Sequence, residues 1–360
     1  MIHLALLYGG ASSEHAVSCR SAGSILQHLD RKRFSIIPIG IAQSGKWYLQ
    51  ESLAHVQPSD VPEVLPLLTN SNTVLSLHPG QGISINGSPL KIDLVFNIVH
   101  GQTGEDGRIQ GTLDLLNIPC TGAGVLGSAL GMDKAMIKQV WIHNDLPVVP
   151  FLQASPYQIP DEESKLNFYT LATSLYSLPL FVKPANAGSS VGVSKIHSFE
   201  EFLKALELAF GVDSKVLVEP AISAREIEVA VLGNENPRAF TPGEILPQHE
   251  FYDYEAKYQD PNGAQFALPA LLNQEELNQM KSLAIKAYQA ADCRGLARVD
   301  FFVDKITGEC MLNEINTLPG FTSISMFPMM VAKDGMSYTE LLSVIVDLAL
   351  ENAKSLNHKI

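Results

Sequence analysis

Residues 297–316, ARVDFFVDKITGECMLNEIN, alternate apolar and polar side chains on either side of a short polar turn, a pattern that fits a β-hairpin and not a helix. A turn centred near Thr307 sets Asp300 opposite Glu314 and Arg298 opposite Asn316. Because side chains alternate along a strand, these four share one face of the pair. Opposed carboxylates with Cβ atoms ~5 Å apart repel each other unless a cation lies between them. A solvated hairpin face is the plainer alternative, but it gives no reason for Asn316 and Arg298 to stand beside the acids. Three oxygen donors on one face, Asp300, Glu314 and Asn316, suit Mg²⁺, which prefers hard oxygen ligands and completes its shell with water and phosphate oxygens. Arg298 beside them suits a phosphoryl group or a developing oxyanion. The segment PGFTSIS follows directly, and its glycine turn offers N–H groups and serine hydroxyls to the same place.

A second stretch, FVKPANAGSSVGVSK at 181–195, has the small residues of a phosphate loop but neither familiar spacing. A Walker loop puts its lysine after the glycines, and a dinucleotide fold needs G-x-G-x-x-G opening a helix. Here Lys183 precedes the glycines, and the β-branched VSKI after Gly192 reads as a strand. The stretch is therefore a hairpin whose glycine-serine tip, with the hydroxyls of Ser189 and Ser190, exposes backbone N–H groups able to close over an anion. An ordinary hairpin loop fits this segment equally well when it is taken alone.

The chain of 360 residues carries a formal net charge of −13, the opposite of the basic footprint a nucleic-acid binder needs. A few lysines and a divalent metal can still make one cleft positive inside an acidic protein, so nucleotide binding stays open. Cysteines 19, 120, 293 and 310 lack C-x-x-C spacing, which points to neither a zinc site nor a disulfide framework and fits a reducing cytoplasm. The N-terminal MIHLALLYGG is too short and too uncharged at its start for a signal peptide, and no later stretch approaches the ~18 apolar residues of a membrane span. It reads as a first strand. Strand and helix then alternate to about residue 130, which predicts an α/β domain with a parallel sheet whose strand ends bring Gly9–Glu14 and His100–Asp106 to one rim. Five prolines between 58 and 89 make 51–90 an irregular, peripheral insertion without chemistry. From the helix in MDKAMIKQVWIHNDLPVVP onward the pattern is α+β. It includes a helix that starts at Ser198 with Glu201 three residues on, the spacing of a capping box.

The segments YGGASSEHAVS, HGQTGEDGRIQG, GMDK, VKPANAGSSVG, FYDYEAKY, RVDFF and NEINTLPGFTSIS occur in this order over nearly the whole chain. Together they resemble the D-alanine:D-alanine ligases of the ATP-grasp superfamily. The resemblance is weakest over 51–90. It implies an N-terminal α/β domain with a parallel sheet (1–133), followed by the two α+β lobes of an ATP-grasp fold, a central lobe (134–225) and a C-terminal lobe (226–360) holding the metal and catalytic site. The implied activity joins two D-alanine molecules through an acyl phosphate at the expense of ATP, in the cytoplasm, for peptidoglycan precursor synthesis. Carried over by motif, Lys134 and Lys183 hold the ATP phosphates beneath a loop contributing Ser189 and Ser190, while Glu219, Ile222 and Glu226 hold adenine and ribose. Asp300, Glu314 and Asn316 match the family's ligands for Mg²⁺ or Mn²⁺, two ions per site. Arg298 and the Gly320 N–H match the oxyanion donors, and Glu14 matches the group that binds the first ammonium and forms a triad with Ser189 and Tyr258. Lys257, Ser325 and the Met326 N–H correspond to the site of the second carboxylate, with His100 helping to position substrate. A homodimer is implied, and no membrane or nucleic-acid partner. Pro220 and Ala221 stand where relatives often carry bulkier residues, which leaves the lining of the adenine pocket open.

Three alternative readings each need a mark that can be sought in the sequence. A catalytically silent ATP-grasp shell would have lost a metal ligand or Arg298, and all are present. A dinucleotide-binding oxidoreductase lacks its G-x-G-x-x-G. A D-alanine:D-lactate ligase replaces the loop that here reads YDYEAKY, so Tyr258 favours the dipeptide.

Overall fold

Leu4 to Tyr8 are fully buried, so strand β1 (Ile2–Gly9) is covered on both faces, as an unbroken apolar run in a parallel sheet should be. The structure, a computed structural model, describes residues 1–188, 190–247, 264–322 and 324–355. Helix α1 (His15–His28) follows β1, then β2 (Phe34–Ile41), β3 (Trp47–Leu49) and a single helical turn α2 (Glu51–Ala54). The insertion contains β4 (Leu75–His78), β5 (Gly82–Ile85) and β6 (Ser88–Pro89), a small antiparallel sheet, before β7 (Leu94–Asn97) returns to β1. The main sheet has the order β3-β2-β1-β7, with β2 and β7 parallel to β1.

The insertion is less peripheral than its prolines imply. Leu65 is 1% exposed and belongs to the same core as β1. The Tyr8 hydroxyl donates to Pro66 O at 2.7 Å. Residues 62 and 63 lie so close on α1 that a Cβ at Gly23 would come within 2.4 Å of Glu63 O.

Helices α3 (Arg108–Leu115), α4 (Val125–Met132) and α5 (Lys134–His143) lead to β8 (Leu152–Ala154), α6 (Glu162–Leu175), β9 (Leu180–Pro184), β10 (Ser194–Ile196), α7 (Phe199–Phe210) and β11 (Val216–Pro220). These strands form a sheet ordered β10-β9-β11-β8, and β9 with β10 is the hairpin expected around the glycine-serine tip. At α7 only half of the capping box forms. Ser198 Oγ accepts from Glu201 N–H, but the Glu201 carboxylate reaches the N–H of His197 at 2.6 Å instead of that of Ser198.

The remaining strands are β12 (Ala224–Leu232), β13 (Arg238–Ala239), β14 (Gly243–Pro247), β15 (Ala264–Ala267), β16 (Leu296–Asp304) and β17 (Cys310–Asn316), with helix α8 (Gln274–Ala290) between β15 and β16. Their order is β15-β14-β12-β16-β17, and β13 pairs with β12. The chain ends its described course in α9 (Met326–Lys333) and α10 (Tyr338–Ser355), whose Leu341, Leu342, Ile345 and Val346 pack into the core under β1. No described helix is long and apolar enough to cross a membrane.

Candidate active site

The hairpin β16–β17 pairs Asp300 with Glu314 and Arg298 with Asn316, the register read from the alternation. Nearer the turn Val303 pairs with Cys310 and Phe301 with Leu312, one residue out of step, so Asn313 is the extra residue of a β-bulge. The bulge turns Asn313 into the cleft, where its Oδ1 accepts from Lys183 Nζ at 3.5 Å. On the other side β12 sets Glu228 against Asp300. Arg298 answers this row of carboxylates. Its Nε and Nη2 each donate to Asp300 at 2.7 Å, and Nε lies 3.2 Å from Glu228. Burial alone would lower the Arg298 pKa, but Asp300 and Glu228 carry it well above its ordinary value.

Glu314 is met from the neighbouring lobe by Lys134, 3.0 Å away. Burial acts to lower Lys134, and the attraction of Glu314 outweighs it, so its pKa is raised. Asn316 Oδ1 accepts from Leu318 N–H at 3.0 Å, which fixes the amide and leaves a second lone pair on that oxygen. Among the described residues no group of three or more His, Cys, Asp or Glu side chains is arranged to hold a metal alone. Two carboxylates and an amide oxygen are the partial, hard donor set from which Mg²⁺ is held when phosphate oxygens supply the rest.

Lys183 and Glu219 come from the antiparallel pair β9–β11, in which Lys183 opposes Leu217 and Phe181 opposes Glu219. The two charged residues are thus diagonal neighbours on one face. Lys183 Nζ is 2.6 Å from Glu219 Oε2, while the other carboxylate oxygen accepts from Lys138 of α5. Lys138 is completely buried. Burial pulls its pKa down to about 8, with Glu219 limiting the fall. Burial would raise Glu219, but the two ammonium groups hold it below the ordinary value.

The sheet that carries β9 and the one that carries β16 face each other across a cleft of about 1270 Å³, closed at one end by the N-terminal domain. Lys134, Lys183, Ser190, Glu219, Ile222 and Glu226 line it together with Arg298, Asp300, Glu314 and Asn316, and so do Glu14, His100, Gly320, Ser325 and Met326. Ser189, Lys257 and Tyr258 lie outside the described residues.

The base of the glycine loop is tied down. Asn186 N–H and Nδ2 donate to Asp213 Oδ2 at 2.8 and 2.9 Å, and Lys134 Nζ donates to Ala187 O at 2.8 Å. A Cβ on Gly188 would lie 3.7 Å from Glu14 Oε2, so the loop reaches the N-terminal rim. Glu14 occupies the N-cap position of α1 but its side chain makes no capping bond. The carboxylate points at Gly101 instead, which has φ +74° and no room for a Cβ, the nearest atom being Glu14 Oε2 at 2.4 Å. His100 lines the cleft with Nε2 3.1 Å from Ser21 Oγ and Nδ1 3.4 Å from Glu105. Gly320 is pressed against Ser325, whose Oγ accepts from Thr322 N–H at 3.0 Å, and Met326 opens α9.

Among the lining or supporting residues to which the sequence reading gives no role are Val64, Lys138, Glu228 and Asn313. A signal existed for Lys138, which shares the buried stripe of α5 with Ala135 and Trp141, where a lysine needs an anion. Glu228 could have been found from its alternation in REIEVAVL, but its pairing with β16 is a long-range fact.

A parallel α/β domain followed by two α+β lobes around one cleft is the ATP-grasp architecture that the motifs implied. Two family models match, D-ala D-ala ligase N-terminus over residues 3–123 and D-ala D-ala ligase C-terminus over residues 140–347. The sequence is 42% identical to a D-alanine–D-alanine ligase of Treponema denticola, with 98% of this chain and 97% of that protein covered. Among solved structures, the D-alanine-D-alanine ligase from Coxiella burnetii is 34% identical with a TM-score of 0.82, covering 99% of this chain and 95% of that one. A D-Ala:D-Ser ligase from Enterococcus faecalis is 31% identical with a TM-score of 0.81, covering 97% of this chain and 99% of that one. The chain belongs to the D-alanine–D-alanine ligase family.

Proposed function

We propose that the chain joins two D-alanine molecules with ATP, forming D-alanyl-D-alanine for peptidoglycan precursors and releasing ADP and phosphate. The observation that carries this reading is the meeting of Lys134 and Lys183 with Arg298, Asp300, Glu314 and Asn316 on one cleft. A carboxylate is a poor electrophile, so its oxygen first attacks the γ-phosphorus of ATP and ADP leaves. Lys134 and Lys183 neutralise charge on the transferring group. The second amine, after losing a proton, attacks the acyl carbon, and the tetrahedral oxyanion collapses as phosphate departs. Arg298 and the Gly320 N–H receive that oxyanion. Glu14 holds the first ammonium, and Ser325 with the N–H of Met326, at the positive end of α9, takes the second carboxylate. By resemblance Glu219, Ile222 and Glu226 serve adenine and ribose, Ser190 the phosphates, His100 the substrate, and Ser189, Tyr258 and Lys257 complete the set. Bound at Asp300, Glu314 and Asn316, two divalent ions, Mg²⁺ or Mn²⁺, would offset the charge of the phosphate oxygens.

The division into 1–133, 134–225 and 226–360 and a homodimeric state belong to the same reading. So does a cytoplasmic location, which the free thiols of Cys19, Cys120, Cys293 and Cys310 support. The test is phosphate release from ATP with D-alanine, L-alanine, D-serine or D-lactate, with the products weighed by mass spectrometry. D-Alanine alone should drive turnover and give the dipeptide. An ester or a mixed dipeptide as main product would change the second substrate, and nucleotide binding without turnover would leave only the ATP-grasp shell.

A further inference from the structure

Lys138 touches no part of the open cleft. It lies on α5 one turn beyond Lys134, fully buried, with Nζ donating to Val149 O at 3.3 Å and to Glu219, and 5.6 Å above the ring of Phe151. A buried ammonium carries a large desolvation cost, and a chain that needs only packing here has leucine or methionine available. The arrangement has a charge logic. Glu219 lies between two lysines, one oxygen to each, so the three side chains together carry one net positive charge. Without Lys138 the carboxylate would be shared with Lys183 alone, and that pair would be neutral.

We propose that Lys138 is a positioning residue that supplies half the countercharge of Glu219, so that Lys183 presents an uncompensated ammonium to the nucleotide phosphates. The inference rests on the assignment of Lys183 to those phosphates. Two further features agree with it. The Lys138 carboxylate partner is anchored on β11 and Lys183 on β9, so the diagonal across the sheet fixes the ammonium from below. The bulged Asn313 offers Lys183 a neutral acceptor from the opposite wall and adds no second negative charge there.

The test is a double-mutant cycle read as affinity for a non-hydrolysable ATP analogue with Mg²⁺, by calorimetry, beside KM for D-alanine. Losing one close charge in a partly desolvated site should make Lys138→Gln weaken the analogue roughly tenfold in the native background and less than about twofold in Glu219→Gln, where no anion remains to neutralise Lys183. KM for D-alanine should stay within about twofold, because its proposed contacts lie elsewhere in the cleft. An equal loss in both backgrounds means that Lys138 acts through packing and overturns the proposal. Should Lys138→Gln alone fail to fold, the double variant measured against Glu219→Gln decides, since removing both members of a buried pair is better tolerated than removing one. A further tenfold loss there, roughly the size given above, would count against the charge balance. Lys183→Gln separates the two readings. If it leaves analogue binding unchanged, the phosphate assignment fails, and if it weakens binding while Lys138 shows no coupling to Glu219, only the present inference fails.

Discussion

Glu314 faces two demands at once, a cross-strand neighbour of like charge in Asp300 and an ammonium 3.0 Å away in Lys134. Glutamine has the same shape, so Glu314→Gln keeps the packing, removes the charge and leaves Lys134 a neutral acceptor. Melting should shift little, while ligase activity should fall by about a hundredfold or more and the Mg²⁺ needed for half-maximal rate should rise, as loss of an anionic metal ligand predicts. A variant that turns over at the native rate at limiting Mg²⁺ would show that Glu314 is not a ligand. The four hairpin residues were legible because a period of two needs only the chain itself and a turn position. Lys138 was not, since a single lysine in a helix of mixed composition reads as a solvated side chain until the helix's buried face is known. Glu14 is an intermediate case. Its place after a glycine turn is equally that of an N-cap, and only the approach of Gly101 and Gly188 shows the carboxylate turned toward the cleft.

The β16–β17 hairpin reached its expected register by an unexpected route. The ladder next to the turn is centred between Ile306 and Thr307, half a residue earlier than the alternation implies, and the bulge at Asn313 restores the step before Asp300. Its mark in the sequence is the adjacent polar pair Asn313–Glu314, but Phe301–Phe302 and Cys310–Leu312 break the alternation as well, so the bulge did not stand out. The insertion was misjudged for a related reason. Proline breaks periodicity in sequence, yet a proline-rich strap can lie flat on a helix that offers glycine, as 62–63 does over Gly23. At the glycine loop the elements support a further expectation. The loop's base is fixed by Asn186 on Asp213 and by Lys134 on Ala187 O, and in the function proposed above the backbone N–H groups of Gly188 and Ser190 serve the nucleotide phosphates. Hydrogen exchange at these two amides should slow on adding an ATP analogue with Mg²⁺, and slow less in Asn186→Ala. Exchange that ignores the nucleotide would make the tip an ordinary hairpin loop.

Across the whole molecule the chain does not divide where its motifs do. The core under β1 contains Leu4, Leu6 and Phe96 together with Phe321, Leu341, Leu342, Ile345 and Val346, whereas the sheet of β8–β11 has a separate core built around Val182, Phe202 and Val218. Tyr338 reinforces the first of these by donating to Phe321 O at 2.7 Å and accepting from Ser24 at 3.1 Å, and Arg33 meets Asp347 at 2.5 Å. Acid should loosen the C-terminal sheet through Glu244, whose carboxyl is lowered by the paired hydrogen bonds of Arg225 at 2.8 and 2.7 Å, with burial opposing. A depressed folded pKa gives stability that is present above the unfolded value of about 4.3 and is lost as pH falls through the folded value. The melting advantage of the native chain over Glu244→Gln should therefore be constant near neutrality and shrink in the acid range, and a gap that stays fixed to pH 3, about a unit below that value, would contradict the assignment.

The shared core makes a sharper prediction. Ile345 is fully buried in α10, and truncation to alanine should cost about 2–5 kcal/mol, the range for emptying such a site. If α10 and β1 form one cooperative unit, the loss should appear in native-state hydrogen exchange at Leu4–Tyr8 and along α10 together, despite more than three hundred residues between them in sequence, as the numbering of β1 and α10 shows. The amides of β9 and β11, which rest on their own core, should keep most of their protection. Such a partition would let the sheet of β8–β11 open and close independently of the unit that joins β1 to α10. Equal loss at β9 and β11 would mean that the chain opens as a single unit.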